Sequence, residues 1–136
     1  MERRIVTAAV IRHDGKILCM RRGECRFDYL AHRFEFPGGK LDEPESPAEC
    51  MARELREEID FHTTVTEDML VLSMDYDYPD IHPSFRVYLI DCKTAPYFKM
   101  LEHEEYRWVT REELADLDWA PADREIVRRL LAVNKI

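Results

Sequence analysis

Residues 38–61, GGKLDEPESPAECMARELREEIDF, decide the fold of this chain, because they join a two-glycine turn to a strongly acidic helix. Ser46 as N-cap, Pro47 at the first helical position and Glu49 three residues after the cap have the pattern of a capping box. The sequence therefore predicts a helix that begins at Pro47.

The predicted helix separates apolar from acidic side chains at roughly 100° per residue. The apolar face holds Ala48, Ala52, Leu55 and Ile59, and the acidic face holds Glu54, Glu57 and Glu58. Like charges at this spacing are mildly unfavourable unless a cation lies among them. Mg²⁺ accepts carboxylate oxygens, usually together with water and phosphate oxygens. The alternative is a solvated charged face supported by an ion pair between Arg53 and Glu57.

The segment before the helix favours the metal interpretation. Residues 34–36, FEF, alternate like a short strand that Pro37 ends, and Gly38 and Gly39 then allow the backbone to approach a ligand closely. The whole stretch predicts a strand, a loop and a helix.

The order and spacing of these residues resemble the signature of the Nudix hydrolases. Gly39 is followed after five residues by Glu45, and after seven more by the block 53–58, RELREE. Asp60 stands where the family usually has glycine, and residues 43–45, EPE, replace a turn that often holds a glycine. At Asp60 we expect altered local geometry without loss of chemistry.

The resemblance implies a loop and helix that hold a metal-bound diphosphate. It implies Glu57 and Glu58 as the principal Mg²⁺ ligands, with Mn²⁺ as a possible substitute, and the carbonyl of Gly38 as a further ligand. Glu54 is implied as a ligand or as the base that takes a proton from the attacking water, with Arg53 orienting it. The predicted catalytic residues are therefore Arg53, Glu54 and Glu57, and Glu45 supports the loop.

The resemblance also implies an acidic ligand outside the helix, within residues 101–105, LEHEE. We choose Glu102 as this metal ligand and Glu105 as the second choice, and we expect His103 to shape the loop rather than to bind metal. The alternative is a solvated acidic loop.

Substrate contacts are predicted from basic, glycine and aromatic positions. The candidates are Arg22, Arg33 and Lys40 for phosphate oxygens, Gly39 for close backbone approach, and Phe36 for stacking on a base. The arginines could equally be ordinary surface charges. Further aromatic side chains available for stacking, Phe27, Tyr29 and Tyr78, are of a kind found more often in a core.

Asp123 is the candidate for recognising the base. The segments FEFPGGK, EHEEYRWVTREEL and WAPADREIVRRL resemble the MutT-like branch of the family, in which the matching position is an asparagine that reads oxidised guanine, while cytidine-preferring relatives have Asp. An ionised carboxylate only accepts hydrogen bonds, which suits the amino group of cytosine or adenine, unless burial raises its pKa enough to keep it protonated. We expect Asp123→Asn to shift preference from cytosine toward oxidised guanine. The alternative is that Asp123 caps the last helix.

The remaining pattern predicts an α/β fold: an α/β/α sandwich with a mixed central sheet, in one domain over residues 1–136, as the family resemblance also implies. The first predicted elements are a hairpin of strands 4–12 and 16–22 and a loop over 24–32. After the acidic helix, the sequence predicts a second hairpin of strands 70–76 and 85–92 and a short strand at 108–109. A capping box from Thr110 to Glu113 opens a brief helix, and a final helix begins at Pro121 and buries Ile126, Val127, Leu130 and Leu131.

Composition limits the partners. The formal charge of −8 argues against nucleic-acid backbones as partners, and no stretch approaches the length of a membrane span. The cysteines, Cys19, Cys25, Cys50 and Cys92, form no CxxC pair, which predicts free thiols and a reducing cytoplasm. We expect a monomer or a homodimer.

Three functions stay open on the sequence. The first is Mg²⁺-dependent hydrolysis of nucleoside triphosphates, damaged, modified or cytosine-containing, to the monophosphate and pyrophosphate. The second is hydrolysis of another nucleoside diphosphate derivative, such as a nucleotide sugar or an RNA 5′ end, and the third is a catalytically silent nucleotide sensor. The complete set of Glu54, Glu57 and Glu58 disfavours the sensor, and the acidity and short chain disfavour RNA ends.

Overall fold

The computed structural model describes residues 3–136. Its main elements are β1 (Arg4–His13), β2 (Lys16–Arg22), β3 (Phe34–Glu35), α1 (Pro47–Ile59), β4 (Leu70–Asp75), β5 (Pro83–Cys92), β6 (His103–Thr110) and α2 (Pro121–Ala132), with short 3₁₀ helices at Glu67–Met69 and Arg111–Asp116. Within residues 3–136, every helix falls short of the length and apolarity needed to cross a membrane.

The strands form a mixed sheet, as predicted. β1 runs parallel to β5 along its whole length, β5 is antiparallel to β4, and β2 is antiparallel to β1. β2 also pairs with the short β3 near one end and with β6 along its length. Both predicted hairpins are therefore present, and β1 lies centrally between β2 and β5.

The sheet opens between β1 and β2, and this opening positions the glycine turn. The two strands pair only next to their hairpin turn, at Arg12 and His13. Beyond that point the loop before α1 lies along β1: Thr7 N–H donates to Gly39 O at 2.8 Å and Ala9 N–H donates to Pro37 O at 2.8 Å. The loop is thus bonded directly to the central strand of the sheet.

Two apolar cores cover the two faces of the sheet. Successive residues of β1 alternate between them: Ala8 and Val10 pack on the side of α2, and Ala9 and Ile11 pack on the side of α1. The largest fully buried side chains of the helices are Met51, Leu55 and Ile59 on α1, and Ile126 and Leu130 on α2. Burying each such side chain contributes about 1.5–3 kcal/mol, which fixes both helices on the sheet. This is the predicted α/β/α sandwich, with Ala52 and Leu131 only partly buried at its margins.

The last strand is longer than predicted. The sequence indicated a short strand at 108–109, but β6 spans His103–Thr110 and pairs with β2 from Lys16 to Arg22. Two features made this strand hard to predict. Its exposed face carries charged residues, which are uncommon in strands. Its pairing partner β2 is more than 80 residues away in the chain, so no local turn signal marks the pair.

The expectation of altered geometry at Asp60 was also wrong. Asp60 has φ 51° and ψ 33°, the left-handed conformation that glycine commonly takes after a helix, and its N–H donates to Arg56 O. Aspartate tolerates this conformation better than most residues, so α1 ends in the usual way.

Candidate active site

The start of α1 is fixed by the predicted capping box. Glu49 N–H donates to the Ser46 hydroxyl at 3.2 Å, and Ser46 N–H donates to the Glu49 carboxylate at 2.8 Å. Pro47 occupies the first turn. The acidic face of the helix therefore has a fixed rotational position relative to the glycine loop.

The two glycines allow contacts that no larger residue permits. A Cβ atom on Gly38 would lie 1.9 Å from the carbonyl oxygen of Thr7, and a Cβ atom on Gly39 would lie 2.4 Å from the carboxyl group of Glu54. The first contact joins the loop to β1, and the second joins it to the acidic face of α1.

Arg53 organises the carboxylates around this loop. It donates two hydrogen bonds to Glu45, at 2.7 and 2.9 Å, and one each to Glu54 at 2.9 Å and Glu57 at 3.1 Å. The hydrogen bonds from Arg53 hold the pKa of Glu45 at about 2. It also donates to the carbonyl of Lys40. Through these contacts Arg53 orients Glu54 and supports the loop. The catalytic role of Arg53 stays a prediction.

The three predicted carboxylates of α1 lie in three environments. The Glu57 side chain is 57% exposed, Glu54 is half-buried, and Glu58 is buried. Burial, and after it the charge of Glu35, raises the pKa of Glu58 to about 9, and burial also raises the pKa of Glu54. The alternative of a solvated charged face predicted an ion pair between Arg53 and Glu57, and this pair is present. Of the three carboxylates, however, only Glu57 is exposed to solvent. A set of buried and half-buried oxygen donors fits a hard divalent ion such as Mg²⁺.

Glu35 and His103 were not predicted as site residues, and both contact this cluster. Glu35 accepts from Arg22 Nε at 3.1 Å, and its second oxygen lies 3.0 Å from His103 Nε2. His103 Nε2 is also 3.9 Å from Glu58 Oε1, while Glu58 Oε2 accepts from Gly38 N–H at 3.0 Å. The one available signal was a charged residue inside the apolar FEF segment, directly before the glycine loop.

The structure separates the two candidates for the outer ligand. Glu102 lines a cavity of about 300 Å³ together with Glu35, Glu58 and His103. Glu105 lies on β6 and accepts from Arg21 Nε at 2.9 Å, away from that cavity. Glu102 is therefore beside the acidic cluster, and Glu105 is not.

A second cavity, of about 180 Å³, adjoins the first, because Arg22 and Glu35 line both. Of the predicted substrate-binding residues it brings together Arg22, Phe36, Gly39, Lys40 and Asp123. Arg33 is instead directed toward Asp118, at 3.6 Å. Together the cavities reach the lower range of ligand pockets, about 300–1,000 Å³.

Asp123 lies buried in the first turn of α2, at one wall of the second cavity. Its Oδ2 accepts from Phe36 N–H at 2.9 Å. Burial, and after it the charge of Glu35, raises its pKa to about 8, so the carboxyl group is mostly protonated at neutral pH and can both donate and accept. Asp123 is not the N-cap of α2, because Ala120 occupies that position, and the Asp123 carboxyl group accepts from Phe36 N–H instead.

The aromatic side chains divide between core and cavity. Phe36 is only 4% exposed and packs on Trp119, with ring centroids 4.7 Å apart. Tyr78 stacks on Tyr29 at 4.7 Å with an interplanar angle of 13°, and its hydroxyl accepts from Ala122 N–H. Phe36 therefore offers little surface for a base, although it and Tyr78 both line the second cavity.

The four cysteines are free, as predicted, with Cys19 and Cys50 buried and Cys25 and Cys92 half-buried.

A mixed sheet between two helices, with helical carboxylates beside a glycine loop, defines an α/β/α protein with an acidic candidate site. A family model described as NUDIX domain matches residues 1–130. The chain is 35% identical over 127 residues to 8-oxo-dGTP diphosphatase of Haemophilus influenzae, covering 93% of this chain and 90% of that protein. It is 30% identical over 139 residues to CTP pyrophosphohydrolase of Escherichia coli, covering 95% and 92%.

A crystal structure of a MutT protein from Methanosarcina mazei Go1 matches with a TM-score of 0.80 at 26% identity, covering 100% of this chain and 99% of that one. The chain therefore belongs to the Nudix family of hydrolases.

Proposed function

We propose that the protein hydrolyses nucleoside triphosphates, in the presence of Mg²⁺, to a nucleoside monophosphate and pyrophosphate. The supporting observation is the junction of two cavities through Arg22 and Glu35. One cavity holds the carboxylates of Glu58 and Glu102, and the other holds the buried, hydrogen-bonding Asp123. A triphosphate chain suits the first cavity together with the part of the second that Gly39 and Lys40 line, and a base suits the part of the second that Asp123 lines.

The residues that would hold Mg²⁺, or Mn²⁺ in its place, are Gly38 through its carbonyl and the four carboxylates Glu54, Glu57, Glu58 and Glu102. Bound there, the ion supplies neutralisation of phosphate charge and a more acidic water. Glu58 supports the fit, because it is buried and has no lysine or arginine ion-pair partner among the described residues, and such a carboxylate is costly to ionise without a counter-ion.

Proton transfer is assigned to Glu54. Its raised pKa makes it a stronger base than an exposed glutamate, and the hydrogen bond from Arg53 restricts its orientation. Arg22 and Lys40 contact phosphate oxygens, and Gly39 lets the backbone approach them. Arg33 leaves this set because it is directed toward Asp118.

The base is read by Asp123. In its protonated form the carboxyl group donates and accepts, as an asparagine does, which suits oxidised guanine. In its ionised form, above about pH 8, it only accepts, which suits the amino group of cytosine. Preference for cytosine nucleotides is therefore the second candidate. Both candidates are supported by similar proteins, one named 8-oxo-dGTP diphosphatase and one named CTP pyrophosphohydrolase.

The test is a panel of triphosphates, with 8-oxo-dGTP, dGTP, CTP and dCTP as the central members, assayed with Mg²⁺, with Mn²⁺ and with EDTA. We expect pyrophosphate and no orthophosphate, with release abolished by EDTA. A nucleotide sugar and a capped RNA serve as comparison substrates. Orthophosphate as the product, preference for a comparison substrate, or tight nucleotide binding without hydrolysis would each refute the proposal.

The proposed setting is the reducing cytoplasm, as a monomer or homodimer acting on free nucleotides without a nucleic-acid or membrane partner. Four free thiols and a net charge of −8 support it.

A further inference from the structure

We propose that His103 and Glu35 form, together with Glu58, a nitrogen-containing cation site that takes a divalent transition-metal ion such as Mn²⁺. The inference rests on the proposed function, because Glu58 belongs to both. Glu35 lies on β3 and His103 lies on β6, so neither is part of the acidic helix.

The distances suit one ion. One ligand atom from each of the three residues lies within 4.8 Å of the others. His103 Nε2 is 3.0 Å from Glu35 Oε2 and 3.9 Å from Glu58 Oε1. In an octahedral shell with bonds of about 2.1 Å, ligands are about 3 Å apart when adjacent and about 4.2 Å apart when opposite. The three atoms can therefore share an ion with only small side-chain adjustments.

The histidine is free to present a lone pair. Its side chain is 2% exposed, and its Nδ1 atom has no hydrogen-bond partner among the described residues. A neutral imidazole carries one proton, on either nitrogen. Since Nδ1 is unpaired in both tautomers, moving the proton from Nε2 to Nδ1 sacrifices only the bond to Glu35. Coordination of one ion by both groups replaces that bond.

The surrounding charge favours a cation. Arg22 neutralises one carboxylate through its bond to Glu35, but Glu58 and Glu102 line the same cavity. That cavity, about 300 Å³, has room for the water molecules that complete a shell.

The nitrogen atom gives the site its selectivity. Mg²⁺ prefers oxygen ligands only, whereas an imidazole suits transition-metal ions. The site therefore differs in metal preference from the carboxylates of Glu54 and Glu57, which offer oxygen alone.

The experiment uses Mn²⁺ without nucleotide and detects coordinated nitrogen by electron spin echo modulation. We expect nitrogen coupling in the unaltered protein, at frequencies that change when histidine is labelled with ¹⁵N. The coupling should vanish in His103→Gln and persist in His32→Gln, the matched control, because His32 also contacts a glutamate, Glu104 at 2.6 Å, but is exposed. Mn²⁺ affinity should fall about tenfold or more in His103→Gln, with a change of less than about threefold for Mg²⁺, which the oxygen ligands bind.

Bound Mn²⁺ without nitrogen coupling in the unaltered protein would overturn the inference, whether or not His103→Gln folds. Coupling retained in a folded His103→Gln protein would overturn it too. These outcomes leave the proposed function standing if Mg²⁺-dependent pyrophosphate release persists. Absence of that release, with the nitrogen coupling present, would instead refute the function and keep the site.

Discussion

Glu57 and Glu58 are neighbours in sequence, yet the first faces solvent and the second is enclosed between the glycine loop and β6. Substitution of Glu58 therefore disturbs packing as well as chemistry. Glu57 has one described polar contact, with Arg53, so its substitution separates the proposed metal binding from folding.

Glu57→Gln should lower Mg²⁺-dependent pyrophosphate release by roughly 1,000-fold, because an ionic ligand worth several kcal/mol to the transition state becomes neutral. The free energy of unfolding should change by less than about 0.5 kcal/mol, as for other exposed positions. Glu49→Gln is the matched control on the same helix, since glutamine also completes a capping box. Equal turnover in the two variants would remove Glu57 from the metal site.

Asp123→Asn should alter base preference only at alkaline pH. Near pH 6.5 the protonated aspartic acid and the asparagine offer the same donor and acceptor, so the ratio of kcat/KM for 8-oxo-dGTP to that for CTP should differ less than about threefold. At pH 9 the ionised wild-type side chain should favour CTP by about tenfold relative to the variant. The shift expected from the sequence is thus confined to high pH by burial. A difference between the proteins that is the same at both pH values would contradict this.

At the scale of elements, the loop between β3 and α1 is fixed from both sides. Gly38 contacts the backbone of β1, which is rigid, and Gly39 contacts the end of the Glu54 side chain, which can rotate. The two glycines should therefore respond differently to the same substitution.

Gly38→Ala should reduce the free energy of unfolding by about 3 kcal/mol, because a clash with the Thr7 carbonyl can be relieved only by moving backbone. Gly39→Ala should cost less stability but reduce kcat about 10- to 100-fold by displacing Glu54. Gly23→Ala, where an added Cβ atom would meet open space, is the control for the loss of stability. Thermal unfolding and steady-state kinetics on the three variants provide the comparison, and equal losses of kcat at Gly38 and Gly39 without destabilisation at Gly38 would contradict it.

Local signals predicted the elements that depend on neighbours in sequence. The capping box of α1 and the two hairpins depend on residues that are close together in the sequence, and all three are present in the structure. The length of β6 and the meeting of Glu35 with His103 depend on β2, which pairs with β3 at Met20 and with β6 at Arg22. Such contacts between distant segments leave no periodic trace in a single sequence. The protonation of Asp123 likewise depends on burial by other elements.

For the whole molecule, two buried acids contribute strongly to the pH dependence of stability above about pH 4. Burial raises the pKa of Asp123 from 3.8 to about 8 and that of Glu58 from 4.5 to about 9 in the metal-free protein. Between about pH 4 and 9 the folded state holds protons that the unfolded chain has released. The free energy of unfolding therefore falls as pH rises across this window.

In EDTA, the melting temperature should decrease from pH 5 to pH 9, and the decrease should be smaller in Asp123→Asn, which keeps an acceptor for Phe36 N–H without a charge to bury. At pH 9 the variant should melt well above the wild type. Calorimetry at several pH values measures both slopes. A flat or rising profile for the wild type would show that these acids are ionised in the folded protein.

The hydrogen bonds from Thr7 and Ala9 to the glycine loop have a kinetic consequence. Amide protons held in the middle of a sheet exchange with deuterated solvent mainly through cooperative opening of the entire domain. The amides of Thr7 and Ala9 donate to carbonyl groups of the loop. The loop therefore cannot unfold locally while these two amide protons stay protected from exchange. Inactivation by heat or denaturant should therefore coincide with global unfolding, without a folded but inactive intermediate.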